Sequence, residues 1–295
     1  MVIISILVFL IIFSVLILVH EFGHFLAARM SGVKVEAFAL GMGKKLWGKK
    51  VGDTEYRLNA VPFGGYCQML GEEESSDDPR SFERARWLNR VMITLAGIFF
   101  NYVFSILALT AMFSVGTTPI LVSQSDVDRA EEAGIITFSE PNENGEREVL
   151  SIEKIQKSFP QSFVFAITET GRISKAIIEK VSEIPGEIIE KHQLPEGLSG
   201  PVGIAEATHK ILPGGFWALL KLAALLSLSL GVINLLPIPA LDGGRFLFQL
   251  VELVLMPFRI KLNQKIENYI HYGGYILLMG LIVVVTWNDI ARLIF

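Results

Sequence analysis

The sequence predicts an α-helical polytopic membrane protein with about four transmembrane helices. A membrane-associated β-hairpin region lies between the first two helices, and a small α+β extracytoplasmic domain between the second and third. Three observations carry that prediction. Hydrophobic residues make up 51% of the 295-residue chain, whose formal charge is only −4, a balance unlike that of a soluble enzyme. Four apolar stretches, at about residues 2–27, 91–114, 216–238 and 272–287, each approach the roughly 20 residues that cross a bilayer. Charge also differs between the connecting segments: residues 29–90 hold 11 Lys/Arg and 9 Asp/Glu, residues 117–215 hold 9 and 16.

The first element, residues 1–30, is an apolar run with neither a basic N-terminal region nor a small-residue cleavage site after it. It is therefore expected to be a mature helix and not a signal peptide. Residues 31–90 are rich in glycine and in short β-like runs, which suggests hairpins punctuated by turns, part of them dipping into the membrane beside the helices. Arg80, Arg84, Arg86 and Arg90 precede the second helix, residues 91–115, and Arg259, Lys261 and Lys265 lie in the loop at 256–271. By the positive-inside rule these loops are cytoplasmic, which puts the N-terminus and the 116–199 segment outside. In that outer segment "SFVFAITE" alternates like a strand, and "ISKAIIEKVSEIPGEIIEKH" has the pattern of an amphipathic helix interrupted near Pro185. A third helix and an L-D-G motif fill residues 200–255, and a fourth helix residues 272–295. The acidic balance and the absence of basic–aromatic interleaving argue against nucleic acid as a partner. Cys67, the lone cysteine, forms no internal disulfide and is expected to be structural.

The chemistry is concentrated in "HEFGH" at 20–24. On a helix, His20 and His24 stand one turn apart on one face and can hold one zinc ion, with Glu21 beside them to act on water. Ionisable groups inside a membrane are costly, so this triple points to function more than to mutual satisfaction of polar groups in a bundle. Zinc needs a third protein ligand and an open fourth position. His192 and His209 belong to the opposite face, and His271 opens the fourth helix with no acidic or histidine partner near it in sequence. Asp242, in "GVINLLPIPALDGGRF", is the better candidate, because helices one and three run in the same direction and bring both motifs to one leaflet. Pro237 and Pro239 break the helix there and the following glycines let the backbone turn. The competing role for Asp242 is to cap the next helix.

At these motifs the chain resembles the site-2 protease family of intramembrane zinc metalloproteases, in its bacterial regulator-of-sigma-E protease form. The resemblance rests on HEFGH, on NLLPIPALDG at 234–243, VPFGGYCQMLGE at 61–72, GPVGI at 200–204 and WNDIARL at 287–293, and spans nearly the whole chain. It implies Zn2+ held by His20, His24 and Asp242, Glu21 as the catalytic carboxylate, and substrate handling by Asn234 and the hairpin region before Gly65. Two departures stand out: Ile98 replaces the family's usual proline in "AGIFFN", where Asn101 keeps its place, and the outer segment lacks the glycine–aspartate pair of a PDZ domain, leaving a degenerate PDZ-like unit.

The resulting expectation is an endopeptidase of the bacterial cytoplasmic (inner) membrane, with its active site toward the cytoplasm. Its partners are the lipid bilayer and transmembrane protein or peptide substrates, such as an anti-sigma factor or signal-peptide remnants. Asn234 is expected to hydrogen-bond the substrate backbone, while Tyr56, Arg57, Gly64 and Gly65 present a strand edge to it. A metal transporter or an inactive scaffold is the alternative; no inverted repeat supports the first, and the intact HEFGH and LDG argue against the second.

Overall fold

A computed structural model describes residues 2–72, 74–121, 123–140, 147, 149–191, 199–258 and 264–294. Arg259 and Lys261, used above to assign sides of the membrane, and His192, set aside there as a ligand, lie outside the described residues.

The first helix, α1, runs Val2–Met30. Its 29 residues span about 43 Å, enough to cross a hydrocarbon core of about 30 Å and to carry the last turns beyond it. Two strands follow, β1 (Val35–Val51) and β2 (Thr54–Met69), paired antiparallel. Both bend, and β1 does so where Gly41 adopts φ +82°, a conformation open to glycine without strain. The bend lets residues 37–40 pair twice, with Gln68 to Gly65 on one side and with Glu55 to Leu58 on the other. The outer half of β1 closes the far side against residues 54–59. The sheet therefore has two edges, the stretch 65–69 on one side and the outer half of β1, residues 45–51, on the other.

Helix α2 (Trp87–Val115) returns through the membrane against α1. Phe25 and Ala28 of α1, Val35, Cys67 and Met69 of the sheet and Ile93 of α2 form one buried cluster, which fixes the sheet to the C-terminal end of α1 and the N-terminal end of α2. Beyond α2 come α3 (Gln124–Glu132), the short pair β3 (Ile136–Phe138) and β4 (Val149–Ile152), and α4 (Phe159–Lys191). Here the structure corrects two expectations. The stretch "SFVFAITE" is helix, not strand. Ser162, Ala166, Thr170, Ile173 and Ser174 are buried at helical spacing, and the alternating Phe163 and Ile167 face outward. The helix also continues through Pro185. Among the described residues the outer segment has one two-stranded sheet, and no larger PDZ-like sheet is present.

The third crossing is compound: α5 (Pro201–Ile211), a 3-10 turn, and α6 (Gly215–Leu235). It stops three residues short of the expected 238, because Leu236, which precedes Pro237, is extended at ψ 142°. Ala224 and Leu228 of α6 meet Leu109 and Phe113 of α2 and Ala166 of α4 in the second buried cluster. Then come α7 (Asp242–Leu255) and α8 (Gln264–Ile294), the last helix long enough to cross a membrane. Four helical segments, Ile3–Met30, Trp87–Val115, Pro201–Leu235 and Lys265–Ile294, are long and apolar enough to span a membrane. Only 11% of the most apolar window of α8 is buried, so this helix turns nearly all of its circumference outward.

Candidate metal centre

His20 and His24 occupy the C-terminal half of α1, both buried. Gly23, between them, explains how α2 comes close enough to enclose them: a Cβ there would lie 2.4 Å from the carbonyl oxygen of Ala96. The reciprocal position is Gly97, where a Cβ would lie 2.4 Å from His24 Nε2 and 2.8 Å from His20 Nε2. The backbone of α2 is thus a wall of the site, and only glycine fits on each side of the contact.

Asp242 reaches the histidines from the other direction. Ile238, Pro239, Ala240 and Leu241 form a tight turn closed by Leu241 N–H donating to Ile238 O at 3.1 Å. Ala240 has φ +79°, as the third residue of a type II turn requires, and proline stands at the favoured second position. Ala240 is the sole non-glycine residue with positive φ among the described residues, at a cost of about 1–3 kcal/mol. The turn ends at Asp242, the first residue of α7. The N-cap is Leu241 with no side-chain cap hydrogen bond, so the competing role of Asp242 as a helix cap is not observed.

The three ligand-type atoms form a small triangle. His20 Nε2 and His24 Nε2 are 3.2 Å apart, and Asp242 Oδ2 lies 3.1 Å from the first and 3.4 Å from the second. Bonds of about 2.0–2.1 Å to one tetrahedral zinc put ligand atoms about 3.3 Å from each other. The triangle therefore fits one face of a zinc tetrahedron, with the fourth corner open. His24 Nδ1 donates to Ile93 O at 2.8 Å, which leaves its Nε2 lone pair for a metal. For His20 the partner is Asn101, whose amide nitrogen lies 3.1 Å from Nδ1 while its Oδ1 is buried without a partner. Turning the carboxamide by half a rotation satisfies both groups, with Nδ1–H donating to Oδ1.

A cavity of about 1670 Å³ opens onto this triangle. Glu21, Gly64, Gly65 and Asn234 line it together with His20, His24 and Asp242. A Cβ on Gly65 would come within 2.8 Å of Ile17 and 3.5 Å of Glu21 Cγ, so its absence lets the sheet edge lie against Glu21. Two expected residues are elsewhere. Tyr56 and Arg57 sit in the middle of the sheet with partners on both sides, Phe38 and Lys49 for the first, Ala39 and Gly48 for the second. Tyr56 packs on Phe25, and Arg57 pairs with Glu55. Neither offers a free backbone edge; the edge that lines the cavity is residues 65–69.

The sequence reading missed Gly23, Gly97, the role of Asn101, the Arg245–Glu72 ion pair on the cavity wall, and His271, which also lines the cavity. The spacing of Gly97 and Asn101, four residues apart on one face of α2, was the available signal.

Comparison with known proteins agrees with this geometry. The family model for Peptidase family M50 matches residues 8–281. A Clostridium perfringens protein named as a zinc metalloprotease is 34% identical, over 94% of this chain and 96% of its own. A similarly named Campylobacter jejuni protein is 31% identical, over 95% and 92%. Zinc metalloprotease RasP of Geobacillus kaustophilus is 27% identical, over 98% of each chain. The transporter and scaffold alternatives fall with these matches, and the polar groups set in an apolar bundle have their explanation: the chain belongs to peptidase family M50, the site-2 proteases, and is an intramembrane zinc metalloprotease.

Proposed function

We propose that His20, His24 and Asp242 hold the zinc, that Glu21 is the catalytic carboxylate, and that the protein cuts transmembrane segments from the cytoplasmic side of a bacterial inner membrane. The observation that carries this reading is the triangle of three ligand atoms, matched in size to a tetrahedral face and open toward the cavity that Glu21 lines. Zinc held there supplies a Lewis acid that activates water and polarises the scissile carbonyl. Glu21 takes the proton of the attacking water and passes it to the leaving nitrogen. Asn234, at the last turn of α6, hydrogen-bonds the substrate main chain. Residues 65–69 pair with the unwound substrate as an added strand, with Gly64 and Gly65 keeping the approach clear.

In this reading the chain is organised as a metal-bearing helix to residue 30, a sheet on the cytoplasmic side to 90, a reduced PDZ-like unit outside at 116–199, and the L-D-G crossing at 200–255. Substrates of regulated intramembrane proteolysis, an anti-sigma factor or signal-peptide remnants, suit a site that accepts an unwound membrane segment. The test is zinc titration of the purified protein alongside its Asp242→Asn variant. Loss of zinc affinity by at least tenfold is expected, since a neutral amide is a poorer ligand; equal affinity removes Asp242 from the metal site.

Two further results are expected. Single cysteines at Lys45 and at Glu146, in a Cys67→Ser background, should react with an impermeant thiol reagent from opposite sides of the membrane. Labelling of both from the outer side would break the proposed topology, and with it the shared leaflet of His20 and Asp242. Substrate helix strength should also control rate, because a carbonyl inside a helix is hydrogen-bonded four residues along and hidden from the active site. Gly or Pro near the scissile bond, which weakens helix by about 1 or 3 kcal/mol relative to Ala, should speed cleavage severalfold over a uniform Leu segment. Equal rates at matched substrate levels would show that unwinding is not limiting.

A further inference from the structure

We infer that His271, on α8, is a positioning residue for the metal centre: it holds the Pro239–Ala240 turn that delivers Asp242 to His20 and His24. The inference rests on the metal site proposed above and extends it to a helix that contributes no ligand.

Three observations meet at this turn. The backbone N–H of Ala240 donates to His271 Nδ1 at 2.9 Å, across 31 residues of chain. In a type II turn the N–H of the third residue takes no part in the closing hydrogen bond, so it needs an outside acceptor when the turn is enclosed. Ala240 also carries the left-handed backbone described above, which a glycine would adopt freely and an alanine keeps only when its surroundings hold it. One turn along α8, Gly274 lets the helix lie directly on the same residues, because a Cβ there would stand 2.5 Å from both the Cβ and the carbonyl oxygen of Pro239. His271 and Gly274 thus grip the turn from one face of α8, an acceptor for its N–H beside a flat seat for its proline.

His271 makes no second tie that would explain its presence. Its Nε2 is buried and has no hydrogen-bond partner among the described residues, and the Phe248 ring of α7 packs beside it, centroids 5.4 Å apart. Because Nδ1 accepts, the neutral ring carries its proton on Nε2. Asp242 lies two residues beyond Ala240, so a turn that relaxes toward right-handed φ at Ala240 redirects the Asp242 carboxylate away from the triangle. Partners that orient a ligand without touching the metal commonly affect metal affinity by about 10–100-fold, and the same range is expected here.

The experiment is zinc titration of the full-length protein in detergent micelles against a competing chelator. His271→Phe keeps a ring of similar shape without an acceptor and should weaken zinc binding by at least tenfold. His271→Asn, whose side-chain oxygen can occupy the place of Nδ1, should stay within about threefold of the unaltered protein. The decisive arm is His271→Phe combined with Ala240→Gly: glycine takes the left-handed conformation unaided, so the double variant should recover most of the lost affinity, which loss of general packing would not allow. Unchanged affinity in His271→Phe, or a double variant no better than the single one, overturns the inference. If His271→Phe does not fold, His271→Gln replaces it, since its oxygen reaches the place of Nε2; equal affinity in the Asn and Gln variants is then the overturning result. Asp242→Asn in the same titration reports on the metal reading itself, so failure of that reading is distinguishable from failure of this one.

Discussion

Glu21→Gln is expected to lower cleavage of a transmembrane substrate by about 10²–10⁴-fold while the purified protein keeps its zinc. Glutamine preserves the size of the side chain and its place on the cavity wall beside His20 and His24, but its amide cannot accept a proton from water at neutral pH. None of the three atoms in the triangle belongs to Glu21, so the metal has no reason to leave. The space also suits the exchange: even a Cβ added at Gly65 would stand 3.5 Å from Glu21 Cγ, so the sheet does not crowd a side chain of this size. The measurement pairs metal analysis with turnover of one substrate in the same preparation. Zinc retained with cleavage above a few per cent of the original rate would take Glu21 out of the proton transfer, whereas joint loss of zinc and cleavage would make it a support of the metal site.

The division between what was legible in the sequence and what was not follows the range of the interactions. HEFGH and the four apolar runs are local signals: helical period, span length and an i, i+4 pair on one face each need a single element to be read. Asp242 became legible through one further constraint, the parity of membrane crossings, which brings the ends of helices one and three to the same leaflet. The end of α6 could be shifted from 238 to Leu235 only by giving full weight to Pro237 and its effect on the preceding residue. The strand expected at Ser162–Glu169 failed for a different reason. Phe163, Phe165 and Ile167 alternate, but small side chains at Ser162 and Ala166 decide which face packs, and period alone gives small residues little weight.

The sheet shows the same limit more sharply. Glycines and short apolar runs announced hairpins, yet which segment forms the edge depends on residues 37–40 pairing on both sides, a tertiary fact. Tyr56 and Arg57 therefore lie two strands from the edge that lines the cavity, while Gly64 and Gly65 line it as the sequence predicts. His271 was dismissed as a ligand for want of a partner in sequence, and its partner is a main-chain N–H 31 residues away. No side-chain pattern announces such a contact. Asn101 was visible only as a residue in a motif, since its role lies in the ring nitrogen it meets on another helix.

Gly97→Ala is expected to cripple the metal site with a single added methyl group, because that methyl would intrude on both histidines at once. The new carbon would sit 2.4 Å from His24 Nε2, 2.7 Å from His20 Cε1 and 2.8 Å from His20 Nε2, against ordinary contacts of about 3.5–4.0 Å. Relief by separation of the helices would open the close packing that Gly23 allows against the Ala96 carbonyl and would carry the histidines away from the wall of the site. Relief by rotation of the rings would break the hydrogen bonds that aim them, His24 to Ile93 O and His20 to Asn101. Either way the two Nε2 atoms can no longer hold the 3.2 Å spacing that one zinc requires. Zinc affinity should fall by more than 100-fold and cleavage with it, although every proposed ligand and Glu21 remain. Gly280→Ala on α8 is the matched control, since nothing lies within 4 Å of a Cβ there and the change adds the same methyl to another membrane helix. Chelator competition on both variants, with membrane insertion checked by extraction and gel filtration, separates the outcomes. A Gly97→Ala protein that binds zinc as tightly as the Gly280→Ala control would mean that α2 does not form the wall of the metal site.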